Sequence, residues 1–111
     1  MKRLEKLAKS AAGSLLQCES VRVISHNDAD GITSAGLICS ALKRAEIPFQ
    51  ATLVSRLDAS VVDSIEPPVV FCDMGSGKPH LISRIDGEVF VFDHHTPVGT
   101  LDCFHVNPHL V

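Results

Sequence analysis

At 111 residues the chain has room for one domain with a modest core. Its 45% apolar content is ordinary for a globular fold, while five Phe and no Trp or Tyr argue against a module that stacks bases on exposed rings. The formal charge of −3 goes with no basic stripe, yet it does not exclude an anionic substrate, because four of the thirteen acids are candidate site residues.

Taken in order, residues 2 to about 17 place Leu4, Leu7, Ala8, Ala11, Leu15 and Leu16 at helical spacing, with lysines on the other face. Val21 to Ser25 reads as a buried strand. From Gly31 to about Glu46, Ile32, Ala35, Ile38, Ala41, Leu42 and Ala45 predict a second helix, bounded by Pro48. Phe49 to Val54 predicts a second strand, and Asp58 to Ile65 a short helix capped by Asp58 or Ser60. Pro67-Pro68 opens a third strand, Val69 to Cys72. Gly75-Ser76-Gly77 then leads into an irregular or weakly helical stretch through Arg84. Asp86-Gly87 turns into a fourth strand, Glu88 to Phe92, and a last short strand, Cys103 to Val106, precedes Asn107-Pro108.

Strands alternating with helices at these intervals predict an α/β fold, an open, mainly parallel sheet of about five strands with flanking helices. No repeat, linker or low-complexity tract divides residues 1–111, which are expected to form a single domain. Cys18, Cys39, Cys72 and Cys103 are widely spaced and form no Cys-x-x-Cys pair, which speaks against a zinc ribbon or a disulfide framework. No apolar stretch approaches the length of a membrane span, and Met1-Lys2-Arg3 is followed by an amphipathic segment rather than a signal-peptide core. The expected setting is a reducing cytoplasm, with no membrane partner.

Three short strings carry the chemistry. They are His26-Asn27-Asp28-Ala29-Asp30-Gly31, then Asp73 in Cys72-Asp73-Met74-Gly75, then Asp93-His94-His95, and each follows a predicted strand. In a parallel sheet those strand ends share one edge, where ligands bind. Four carboxylates (Asp28, Asp30, Asp73, Asp93) and three imidazoles (His26, His94, His95) would converge there, and like charges so close cannot all stay ionised. Divalent metal is the simplest remedy, and two such ions would bring the formal charge of −3 to about +1. The pattern reads as a dinuclear metal hydrolase.

In an extended segment His26, Asp28 and Asp30 face one side, a donor set suited to octahedral manganese or magnesium. The plainer reading makes Asp30 a helix cap and His26 a surface residue. Asp73 alone would more often be a turn residue before Gly75-Ser76-Gly77. Beside the first string it can instead bridge two ions roughly 3.5–4 Å apart. The adjacent His94 and His95 are expected to point to opposite sides, one toward metal and one toward substrate, with Asp93 orienting an imidazole. His80, His105 and His109 are read as lying outside the site, unless residues 107–111 fold back and bring His109 to it.

These strings resemble the motifs of the DHH phosphoesterase superfamily, whose name Asp93-His94-His95 spells. His26 to Gly31 looks like its first motif and Asp73 like its second. Ser25 to Ala35 and the Asn107-Pro108-His109 ending most resemble the archaeal RecJ-like branch of single-strand-specific nucleases. The resemblance implies two manganese ions, with magnesium as an alternative: one on His26, Asp28 and Asp73, the other on Asp30, Asp73 and His94. It further implies that His95 contacts the scissile phosphate and Asp93 supports the histidines. Partners implied are single-stranded DNA or RNA and, for some members, GINS-type replication proteins.

Family members continue into a further Asp and a second domain that grips substrate; Asp102 stands at the wrong end of its strand to replace that Asp. The chain is therefore expected to correspond to the first part of a DHH domain, poorly active alone and prone to self-association through the edge of its last strand. Two other readings remain open at this point. One is a non-catalytic replication scaffold. The other is a phosphatase for oligoribonucleotides, cyclic dinucleotides or pyrophosphate, although the pyrophosphatase-like branch tends to a wider His-to-Asp spacing.

Overall fold

A computed structural model describes residues 2–110. The elements run α1 (Lys2–Leu15), β1 (Val21–His26), α2 (Ala29–Arg44), β2 (Phe49–Val54), α3 (Ala59–Asp63), β3 (Val69–Cys72), α4 (Pro79–Ile82), β4 (Val89–Phe92), β5 (Phe104–Val106) and a 3-10 turn, Pro108–Leu110. All five strands are parallel, in the order β2-β1-β3-β4-β5. This is one of the two common doubly wound arrangements.

The two-residue period of the strands divides the core. Val23, Val70, Cys72 and Phe90 point to one face, where Ala11 and Leu15 of α1 and Ala35 and Leu42 of α2 cover them. Ile24, Val69, Phe71, Val89 and Val91 point to the other, against Leu57, Val62 of α3, and Leu81 and Ile82 of α4. β3 is buried at every position, as its unbroken Val-Val-Phe-Cys run requires in a sheet covered on both faces. The rings of Phe90 and Phe104 stack 5.0 Å apart and fasten β5 to β4.

Two local expectations shift. α2 begins at Ala29 rather than Gly31, because Asp28 is the residue that caps it, its Oδ1 accepting from the Gly31 N–H at 2.8 Å. The edge expected to lie open, β5, is packed against α1 and partly buried. β2 is instead exposed along nearly its whole length, so the more open edge is the opposite one. All four cysteines are free thiols, and burial pushes Cys72 up to about 12 and Cys103 up to about 11. No described helix is long and apolar enough to cross a membrane.

Candidate metal centre

The sheet order reverses between β1 and β3, and the crevice at their carboxyl ends is the place where doubly wound folds bind ligands. The first string leaves β1 there, and Asp73 leaves β3 beside it. His26 Nδ1 lies 2.8 Å from Asp28 Oδ2, and His26 Nε2 lies 3.0 Å from the Ser55 carbonyl oxygen. The Gly31 N–H, more than the nearby His26, holds the Asp28 carboxyl below the usual carboxylate range. Gly31 has no freedom to be anything larger: a Cβ there would collide with the His26 carbonyl.

Asp73 sits in the left-handed region, at φ 61, a conformation that Asp tolerates better than most residues. That turn sends its side chain inward, only 1% exposed. Oδ1 lies 2.8 Å from His94 Nε2, whereas Oδ2 is buried with no hydrogen-bond partner. Burial raises its pKa, and the neighbouring Asp28 charge adds to the rise against the opposing effect of His94.

Asp93, the residue after β4, is a buried acceptor. Its Oδ1 takes the His94 N–H at 2.8 Å, the His95 N–H at 3.3 Å and His95 Nδ1 at 2.6 Å, and its Oδ2 takes the Ser76 N–H at 3.1 Å. Burial alone would raise the Asp93 carboxyl, but the hydrogen bonds from His95 and Ser76 outweigh it and hold the group low. Reciprocally, the bond to Asp93 raises His95 despite a smaller opposing effect of burial. An ionised Asp93 can only accept, so His95 donates through Nδ1 and keeps Nε2 for another partner.

The two histidines do not diverge as expected. Their rings lie 4.5 Å apart at 34°, and both face Asp73, His95 Nδ1 at 3.9 Å from its Oδ1. Asp30, in the first turn of α2 rather than in an extended segment, stands at the rim, its Oδ2 3.9 Å from His94 Nε2. Asp102 stays exposed and lines none of this crevice.

The structure also adds residues that the three strings did not announce. Fully buried Asn107 donates from Nδ2 to Ser76 Oγ at 3.0 Å and to the His95 carbonyl at 2.8 Å. His105 Nε2 meets Ser76 Oγ at 2.7 Å, and His109 Nε2 meets the His94 carbonyl at 3.1 Å. The segment after β5 thus does fold back, and it straps the His94-His95 loop. The Asn-Pro signal was visible in the sequence; its target was not.

The donors form two groups that share Asp73. Ligand atoms of His26, Asp28 and Asp73 lie within 4.8 Å of one another, as do those of Asp73, Asp93, His94 and His95. Carboxylate oxygens and imidazole nitrogens suit hard or borderline divalent ions. The unpartnered Asp73 Oδ2, pressed by Asp28, is the atom a cation would satisfy. These residues fit a metal.

Residues 20–110 match the DHH family, N-terminal domain. Over an alignment 124 positions long, gaps included, the chain is 32% identical to an uncharacterized protein of Methanocaldococcus jannaschii, covering 99% of this chain and 28% of that protein. Among solved structures it resembles RecJ in complex with Mn2+ from Thermus thermophilus, with a TM-score of 0.76, 23% identity, and coverage of 97% of this chain and 17% of that one. It also resembles exonuclease RecJ bound to manganese, with a TM-score of 0.72, 24% identity, and coverage of 97% and 31%. The likeness to these two structures is one of fold. The chain spans less than a third of the length of each of these three relatives.

Proposed function

Because this chain belongs to the DHH family, we propose that it is the metal-binding part of a phosphodiesterase, using manganese and acting on single-stranded DNA or RNA in the manner of a RecJ-like exonuclease. One observation carries the reading. The buried Asp73 carboxylate, half paired with His94 and half unpartnered, belongs to both groups of candidate ligands. The manganese in the two RecJ structures of the same fold supports the choice of ion, and magnesium is the alternative.

His26, Asp28 and Asp73 would hold one ion; Asp73 and His94 of the second group would hold the other, with Asp30, which lies outside both groups, reaching it from the rim. Bound there, divalent ions supply hydroxide near neutral pH and neutralise charge growing on the phosphoryl oxygens. The remaining work falls to the protein. His95, engaged by Asp93 through Nδ1, would present Nε2 to a phosphoryl oxygen. Asp93, itself fixed by the Ser76 N–H, keeps that imidazole from turning away. The five candidate ligands His26, Asp28, Asp30, Asp73 and His94 favour this reading over a scaffold of the same fold, whereas the further Asp expected of the family is not supplied by residues 2–110.

Calorimetric titration with manganese, followed by digestion of a labelled single strand, tests the proposal. Binding that is lost in Asp28→Asn, with cleavage that stops on chelation, is the expected result. A chain that takes up no manganese at millimolar concentration would refute it.

A further inference from the structure

His105 is a buried imidazole that the chemistry above leaves unused, 8% exposed at the centre of β5. Its Nε2 meets Ser76 Oγ at 2.7 Å. That distance would suit a nucleophile and its base, but Ser76 is 0% exposed, so no substrate reaches its hydroxyl. What the pair can do is hold. Ser76 stands in the turn after β3 and bonds through each of its polar atoms. Its N–H donates to Asp93 Oδ2 at 3.1 Å, its carbonyl accepts from the Val98 N–H at 3.0 Å, and its Oγ accepts from Asn107 Nδ2 at 3.0 Å. His105 is the further partner of that Oγ.

Two of these contacts lead on to His95. Asp93 Oδ1 accepts the His95 N–H at 3.3 Å and lies 2.6 Å from its Nδ1, and Asn107 Nδ2 also donates to the His95 carbonyl at 2.8 Å. Among the described residues, the hydrogen bonds of His95 thus go to Asp93 and Asn107, and both of those run back to Ser76. The geometry points to His105 as a positioning residue: through Ser76 it locks the Asp93 and Asn107 arms that present His95 Nε2 to a phosphoryl oxygen. The use made of His95 rests on the phosphodiesterase reading above; the hold on it does not. The bond works in either direction, since Ser76 Oγ can give its proton to a bare Nε2 or accept one from Nε2–H. Without the imidazole a buried hydroxyl lacks a partner and is free to turn away from Asn107. His26, Asp28 and Asp73 make no hydrogen bond to Ser76 or His105, so their hold on a cation should not depend on the pair.

Three variants test this. His105→Leu removes the bond from one side, Ser76→Ala removes it from the other, and His105→Gln restores an amide that can donate or accept. Imidazole nitrogen NMR of the metal-free proteins, alkaline of both ring titrations, reports where the His95 proton sits. The parent and His105→Gln should show His95 held as Nδ1–H, whereas His105→Leu and Ser76→Ala should show an average of both tautomers. With manganese and a labelled oligothymidylate, kcat should fall about 10- to 100-fold in these two, as loss of alignment costs. KM and manganese affinity should stay within about two-fold, and the double variant should be no worse than Ser76→Ala. Should His105→Leu not fold, Ser76→Ala set against His105→Gln carries the same comparison. A His95 spectrum unchanged in both variants overturns the proposal, as do losses of kcat that multiply in the double variant. Manganese affinity falling in step with kcat also overturns it, since His105 would then support the whole sheet edge. An unmodified protein that binds manganese but cleaves nothing would instead count against the phosphodiesterase reading, while the His95 spectrum still decides the hold.

Discussion

His94 Nε2 meets Asp73 Oδ1 at 2.8 Å, and the other oxygen of the same buried carboxylate meets nothing. The pair therefore satisfies half of a group that the fold has taken out of water. Asp73→Asn should keep the left-handed turn, since Asn tolerates it as Asp does, and should remove the buried charge. The metal-free variant is expected to melt at the same temperature as the parent or higher, while its manganese affinity falls at least about 100-fold. Thermal melts with and without manganese check both halves. A variant that loses stability without metal and keeps its manganese-induced rise would contradict the assignment.

Gly31 and Gly36 lie in the same helix and should respond with opposite signs. A methyl group at Gly31 runs into the His26 carbonyl, so Gly31→Ala should cost about 1–3 kcal/mol and disturb the Asp28 cap. Gly36 has open space around it, and Gly36→Ala should gain about 0.5–1 kcal/mol from reduced freedom of the unfolded chain. Urea unfolding of the two variants measures the contrast.

His95 and His105 should separate in a pH titration of the metal-free protein followed by imidazole NMR. Both start from an ordinary value of 6.5; the bond to Asp93 raises His95, and burial lowers His105 against a weaker pull from Asp93. What His95 adds to stability is complete below 6.5 and is lost as pH rises through its higher folded value. What His105 adds is complete above 6.5 and is lost as pH falls toward its lower folded value. Two overlapping titration curves would show that Asp93 does not govern His95 as described.

Asn107→Ala should cost about 1–3 kcal/mol, because Ser76 Oγ loses a donor at a buried position and the His95 carbonyl loses one at a partly buried position. Hydrogen exchange at the His94 and His95 amides should quicken more than exchange in β1. Uniform quickening across the sheet would mean that Asn107 supports the whole fold and not this loop in particular.

Much of this was legible in the chain itself. The apolar runs at Val21, Val69 and Val89 are short, β-branched and unbroken, the signature of strands buried on both faces, and all three form the middle of the sheet. The three strings stood out because acids and histidines follow those runs directly. What could not be read was long-range. That Asp28 rather than Asp30 caps α2 depends on which carboxylate meets the Gly31 N–H. That His94 and His95 face the same carboxylate depends on how Asn107 and His109 hold their backbone and how the Ser76 N–H fixes the Asp93 carboxylate, contacts from segments with no shared pattern. The exposure of β2 was equally hidden, since Phe49 and Leu53 look like core residues by type and are not.

The strand order has a consequence for synthesis. His26 and Asp28 leave the ribosome long before Asp73, and Asp73 before His94, yet β1 cannot find its neighbour β3 until the intervening crossover is complete. Parallel pairings of this kind close late, because the loop entropy is spent before the contact is gained. A nascent chain therefore keeps the candidate ligands apart until β3 pairs with β1, which gathers His26, Asp28 and Asp73, and until β4 adds Asp93, His94 and His95. On the proposed reading an ion would meet the finished sheet, and metal scarcity would leave a folded, empty protein rather than a stalled folding intermediate.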